Sequence, residues 1–261
     1  YLKVRRREFY SEDLQGGQVH LTLEFETDET GPSELGGLIL APGYRGHAQK
    51  LGKTLSMIRF HFIGLQPHQF NERMLAEMMG RISPDSQNLL WDYLGRRFIN
   101  LSYKEADLFC QHSMTALFPR EPIYASLLPP EARNLIARES DETGPARRML
   151  ERQGFEYKGH IDPFDGGPYL EAVRDRIPLV ESTGRFNLTG PLSGTGTSTG
   201  IVSCEGDQGF RSVQTSFTVR GDGVRISADA IEAIGAARGS ALGVTALPKG
   251  ASEKTKKPKK S

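Results

Sequence analysis

Apolar and polar residues alternate along residues 18–29, QVHLTLEFETDE, with Val19, Leu21, Leu23 and Phe25 on one side. A period of two predicts a half-buried strand. The turn TGPSELG follows, and the apolar run over 36–42, GGLILAP, predicts a buried strand stopped by proline. After the polar loop GYRGHAQK, apolar residues recur at Leu51, Leu55, Ile58, Phe62 and Leu65. Those steps of three and four mark one face of a helix that ends before Pro67. Met74, Ala76 and Met78 then alternate as a further strand. Strand, glycine-containing loop, helix and strand compose a βαβ unit, which can lay its two strands parallel.

Further along, LLWDYLGRRF predicts a short helix ending near Gly95, and EADLFCQH, PPEARNLIAR and TGPARRMLERQG predict three more. In the last of these, Thr143 fits an N-cap and Gly154 the glycine just past the helix end. FEYKGHID alternates as a strand and runs into the turn-rich DPFDGGP over 162–168. Beyond about residue 185 the composition shifts. NLTGPLSGTGTSTG predicts a linker, and GFRSVQTSFTVRGDGVRIS a hairpin turning at Gly221 and Asp222. A helical ADAIEAIGAA and a last strand, GVTALP, follow. This divides the chain into an α/β domain over 1–185, a linker over 186–199, a small β-rich module over 200–248 and a disordered tail over 249–261.

Charge sharpens that division. The net charge of the 261 residues is +1, but the last eleven hold five lysines against one glutamate, leaving −3 on the rest. A mildly acidic body excludes a broad basic face for nucleic acid. No apolar run approaches the ~18 residues that span a bilayer. The two cysteines, Cys110 and Cys204, form no CxxC, which excludes a disulfide scaffold and a zinc ribbon. None of the six histidines falls in a metal-ligand spacing, so no metal site is expected.

Three places could carry chemistry. A strand, a glycine-containing loop and a helix start over 36–53 aim backbone N–H groups at one point, which suits a pyrophosphate, or serve as an ordinary connection. Neither GxGxxG nor GxxxxGK[ST] is present there. Asp162, Asp165 and Glu171 could hold a cationic group through charge-assisted hydrogen bonds, or fix the turn. His112 and His160 could act as bases, or pack.

The strings SELGGLILAPGYR, LGKTLSMIRFHFI, LAEMMG, LLWDYLGRRF, PREPIYASLLP, GPARRMLERQGFEY and IDPFDGGPYLEA resemble successive blocks of the arginine N-succinyltransferase family. The likeness covers about 33–182, and more weakly the C-terminal module. It implies an α/β, GNAT-like acyl-CoA N-acyltransferase fold. It also implies transfer of succinyl from succinyl-CoA, as co-substrate rather than tightly bound cofactor, to the α-amine of L-arginine. Members carry a further N-terminal portion, so a chain starting at Tyr1 is expected to begin inside a longer protein. A cytoplasmic protein, oligomeric with itself or a related subunit, is expected, with no membrane or nucleic-acid partner.

The resemblance also distributes roles. Two strands, over 35–40 and 73–79, would splay to admit the thioester arm. Gly37, Leu38 and Ile39 would approach it, with Leu38 at the position that binds succinyl-CoA. Arg45, Lys50, Gly52 and Lys53 would face the pyrophosphate. Asp162, Asp165 and Glu171 would receive the guanidinium. Two departures stand out. RGHAQKLG is about two residues longer than the family's phosphate loop, and Ser140 occupies the position of the family's catalytic histidine. A serine hydroxyl cannot replace an imidazole as acid or base. Glu77, His112 or His160 would then take the proton. The alternatives are a non-catalytic subunit paired with an active homologue, and an acyltransferase with a different amine acceptor.

Overall fold

The computed structural model describes residues 1–48, 50–109, 114–206 and 209–248. In chain order the first elements are β1 (Leu2–Ser11), β2 (Gly16–Phe25), β3 (Ser33–Glu34), α1 (Leu51–Leu65) and β4 (Arg73–Glu77). Next come α2 (Leu89–Tyr93), α3 (Tyr103–Phe109), α4 (Met114–Leu117), β5 (Ile123–Tyr124), α5 (Pro130–Arg133) and α6 (Gly144–Glu151). β6 (Glu156–Ile161), β7 (Pro168–Val173), α7 (Pro178–Glu181) and β8 (Thr183–Pro191) follow. The chain finishes with β9 (Ser198–Gly206), β10 (Gly209–Arg220), β11 (Gly223–Ile226), α8 (Ala228–Ile234) and β12 (Ala241–Ala246).

These elements fall into two compact units, one of residues 1–37 and 71–174, the other of 38–70 with 175 onward. The first is built on a seven-stranded sheet ordered β3-β4-β7-β6-β1-β2-β5. β3 and β4 are parallel and the remaining neighbours antiparallel. One face of the sheet carries Leu2, Leu23, Phe25 and Ile161 into a core shared with Leu90, Trp91, Leu94, Ile99, Met114 and Phe118. Asn88 anchors that core. Its Oδ1 caps α2 by accepting the Trp91 N–H at 2.9 Å, and its Nδ2 donates to the carbonyls of Arg81 and Asp165. The other face is polar, with Arg5 and Arg7 both bound to Glu24. Such half-exposed pairs contribute ~1 kcal/mol or less each, so the apolar face carries the stability.

The second unit is a closed barrel ordered β10-β11-β8-β12-β9, with β11 and β8 parallel. Leu188, Val202, Phe217, Val224, Ile226, Leu242 and Val244 fill it, together with Ala230 and Ile234 of α8. Ser227 caps α8 by accepting the Ala230 N–H, and Gly235, at φ 66°, ends it. α1 lies against α7, β8 and β12 of the same unit.

Several expectations change. Residues 36–42 form no strand. The strand is β3, two residues long, and Leu38 and Ile39 are exposed. Gly37, at φ 64°, turns the backbone out of the extended path, so pairing with β4 stops after the Leu35 N–H reaches the Leu75 carbonyl. The sheet also starts earlier than the alternation over 18–29 suggested, because β1 pairs with β2 along its whole length. In place of a linker over 186–199, β8 runs through Pro191 and β9 starts at Ser198. The glycines and threonines of β8 look like loop, but β11 and β12 flank it and Leu188 points inward. The helix over PPEARNLIAR is a single turn, α5. Thr143 does not cap α6; its hydroxyl donates to the carbonyls of Ser140 and Met79 instead. The 249–261 tail, Cys110 and His112 lie outside the described residues.

Candidate functional site

The turn between β6 and β7 is held by its own aspartates. Asp162 Oδ1 accepts the N–H groups of Phe164 and Asp165 at 2.7 and 2.9 Å. Asp165 Oδ1 accepts the Gly167 N–H and its Oδ2 the Gly80 N–H, each at 2.7 Å. The second of these ties the turn to the chain leaving β4. That approach requires glycine on both sides. A Cβ at Gly167 would strike the Met78 carbonyl oxygen, and one at Gly80 the Asp165 carbonyl oxygen. Asp165 is buried and both its oxygens are occupied, so its geometry is that of a structural turn residue rather than a guanidinium contact.

Asp162 keeps one oxygen for other partners. Its Oδ2 accepts the Tyr169 hydroxyl at 3.2 Å, and Tyr169 also hydrogen-bonds Glu77, which stands directly across from it between β7 and β4. Burial, with Glu34 and Asp162 close by, raises the Glu77 carboxyl to about 7, against the opposing hydrogen bond from Tyr169. Glu77 nonetheless keeps access to solvent. Burial also pushes the Asp162 carboxyl up, partly offset by its two N–H donors, and pushes Asp165 up, with Asp162 adding to it. Tyr169 is held well above the ordinary phenol range by burial and by Asp162 and Glu77. One phenolic proton thus serves two carboxylates, with a third, Glu34, nearby. Such a group is short of donors, with the Tyr1 ammonium as the nearby positive charge, and favours a cation or an extra proton.

His160 lies in a separate chain of contacts. Its Nε2 receives the Lys3 ammonium at 2.9 Å and its Nδ1 lies 2.6 Å from Glu171 Oε1. A lysine only donates, so a neutral His160 carries its proton on Nδ1 and gives it to Glu171. Burial lowers the His160 pKa, with Lys3 acting the same way and Glu171 opposing. Glu171 is buried and further faced by Arg73 at 3.7 Å and Lys158 at 4.0 Å. Both residues are therefore already partnered, and neither presents a free atom to an acceptor amine.

Ser140 follows the bridge between Gly80 and Glu139; its N–H donates to Met79 and its Oγ lies 3.1 Å from Thr143 Oγ1. The structure places it beside the end of β4 and gives it no basic partner. In the other unit, Arg45 donates from Nε to the Leu40 carbonyl at 3.3 Å, and Lys50, in the left-handed region at φ 52°, starts α1. Arg45, Lys50 and Lys53 are all exposed, and Gly52 lies at the α1 N-terminus. Among the described residues, no cluster of His, Cys, Asp and Glu is suited to hold a metal ion, and no helix is long and apolar enough to cross a membrane.

Sequence reasoning found Asp162 and Glu77 but missed Tyr169 and Glu34. The alternation in PYLEAV, which puts Tyr169 and Glu171 on one face, was the available signal for Tyr169. Glu34 carried none until β3 paired beside β4.

Comparison with known proteins bears on this site. A family model described as "Arginine N-succinyltransferase beta subunit" matches residues 1–179. Arginine N-succinyltransferases of Enterobacter sp. (strain 638) and Escherichia coli (strain K12 / DH10B) are each 38% identical to it over 166 residues. That stretch is 62% of this chain and 48% of each relative, so the chain spans about half the length of the curated relatives it matches. Arginine/ornithine succinyltransferase subunit AI from Pseudomonas aeruginosa superposes with a TM-score of 0.77 at 24% identity, over 95% of this chain and 72% of that one.

Proposed function

The chain belongs to the arginine N-succinyltransferase family and has a GNAT-like α/β fold, and on that premise we propose that it moves succinyl from succinyl-CoA to the α-amine of L-arginine. The observation that carries the reading is the donor-poor cluster of Glu34, Glu77, Asp162 and Tyr169. Arginine brings an ammonium and a guanidinium, the two kinds of donor that such a cluster lacks.

The ammonium must lose a proton before its nitrogen can attack. Glu77, at about 7 and open to solvent, is half ionised at neutral pH, the condition under which a general base works best. The amine nitrogen then bonds to the thioester carbonyl carbon, and the carbonyl oxygen takes up negative charge. A backbone N–H donated to that oxygen stabilises the intermediate. The C–S bond breaks, the thiolate leaves and takes up the proton held by Glu77, and the second proton on the new amide nitrogen passes to solvent. Arg45, Lys50, Lys53 and the first N–H groups of α1 are assigned the CoA phosphates. Asp162 steadies the cationic acceptor, and Asp165 holds the turn.

Succinyl transfer with succinyl-CoA and L-arginine, followed by thiol release, tests this. Glu77→Gln should lower kcat by ~10²–10⁴-fold, and Ser140→Ala should leave it nearly unchanged. An unchanged rate in Glu77→Gln removes Glu77 as base. A large loss in Ser140→Ala makes the Ser140 hydroxyl a hydrogen-bonding part of the site and overturns its exclusion.

A further inference from the structure

A second concavity in the sheet unit has the opposite character. Arg81, Arg133 and Arg138 line a cavity of about 370 Å³ together with Asn134 and Ile136. Arg81 directly follows Gly80, and Arg138 directly precedes Glu139, so two of the arginines flank the bridge that joins these segments. The third ends α5. The backbone between them is fixed: the Ala137 N–H donates to the Gly166 carbonyl at 2.9 Å and the Arg138 N–H to Leu135 at 3.1 Å.

Nearby acids leave this charge largely uncompensated. Arg81 meets Asp141 at 2.9 Å, but that carboxylate is 91% exposed, so the pair is screened. Glu139, which feels the charge of Arg138, is bound to Arg147 at 2.6 Å. Arg133 and Arg138 form no hydrogen bond or ion pair with any described side chain. Three like charges around one cavity repel each other, and neither the turn nor the core requires them. A guanidinium offers a planar fork that fits carboxylate or phosphate oxygens two at a time.

We propose that the concavity walled by Arg81, Arg133 and Arg138 is a binding site for a doubly charged oxyanion, its oxygens held by the three guanidiniums and the Asn134 amide. None of its lining residues belongs to the cluster around Glu77, and the proposal does not depend on acyl transfer. Phosphate and dicarboxylate ligands share this chemistry, and the two probes below separate them.

Calorimetric titration of the whole chain with inorganic pyrophosphate and, separately, with succinate provides the test, each against chloride at equal ionic strength. At least one probe should bind saturably at a single site. Pyrophosphate alone identifies a phosphate-bearing ligand, and succinate alone a dicarboxylate. The double variant Arg133→Gln/Arg138→Gln should weaken that binding about tenfold or more. The control double Arg6→Gln/Arg220→Gln removes the same charge from residues that do not line the cavity, and should change it less than about twofold. Absence of saturable binding for both probes, or equal weakening in the two double variants, overturns the proposal.

Discussion

The barrel unit and the sheet unit each assemble a polar network, and the two are matched in opposite ways. In the barrel unit, His61 of α1 is fully buried, with Nδ1 2.6 Å from Thr245 Oγ1 and Nε2 2.7 Å from Ser203 Oγ. Thr245 is in turn 2.5 Å from Thr183 Oγ1, which donates to the Leu179 carbonyl when its proton points there. Hydroxyls give and accept, so every atom in that chain can find a partner without a net charge. Burial then keeps the ring neutral and lowers its pKa to about 4. In the sheet unit, Asp162 and Glu77 share a single phenol, and Glu34 lies close to Glu77. Acceptors outnumber donors, and the carboxyl pKa rises. A balanced network is a structural tie, whereas an unbalanced one next to solvent leaves acceptors to be met by added protons or cations.

The largest expected effect tests the balanced side. His61→Ala should cost about 4 kcal/mol, because a buried ring is replaced by a cavity and two hydroxyls lose their partner. A loss below about 1 kcal/mol in chemical denaturation would show that the hydroxyls tie the helix to the barrel without the ring.

The acid range gives the next largest effect. The unfolded chain takes a proton on His61 near 6.5, and the folded chain only near 4. The folded pKa is the lower one, so stability falls as pH drops through 6.5 and goes on falling to about 4. The total loss on this account is about 3 kcal/mol. His61→Gln should flatten that slope. An equally steep slope in the variant would assign acid sensitivity to other groups.

Gly167→Ala comes third, at about 2–3 kcal/mol. Its Cβ meets the Met78 carbonyl, and the turn must retreat from β4. Since Asp162 begins the same turn, kcat for succinyl transfer should fall with stability. Full activity in a destabilised variant would separate the turn from the carboxylate cluster.

The smallest effect has the opposite sign. Glu77 has a raised folded pKa of about 7 against 4.5, so its ionisation costs stability as pH rises through that window. Glu77→Gln should therefore stabilise the protein at pH 8, by less than about 1 kcal/mol after solvent screening, and do nothing at pH 4. Destabilisation at pH 8 would mean that the Glu77 charge is already matched in the free protein, and the contrast with His61 would collapse.

Much of this was legible in the residues. The steps from Leu51 to Leu65 give α1, the alternation of Met74, Ala76 and Met78 gives β4, and Gly221-Asp222 gives the turn between β10 and β11. These are local signals: a helix or strand with one buried face writes its period into the chain. The arginine N-succinyltransferase resemblance was likewise visible, because strings such as IDPFDGGP follow from no general rule of folding. Only the tertiary structure decided where β8 belongs, because its buried Leu188 is surrounded by loop-like residues and the pairing partners of Asn187 lie 36 and 54 positions further on, at Gly223 and Ala241. It also decided which carboxylates are spent. Asp162, Asp165 and Glu171 are equivalent acids in sequence, yet Asp165 holds two backbone N–H groups, Glu171 holds His160, and Asp162 faces Tyr169 and Glu77. The number of donors around a carboxylate depends on strands and loops far apart in the chain, and periodicity carries no record of it.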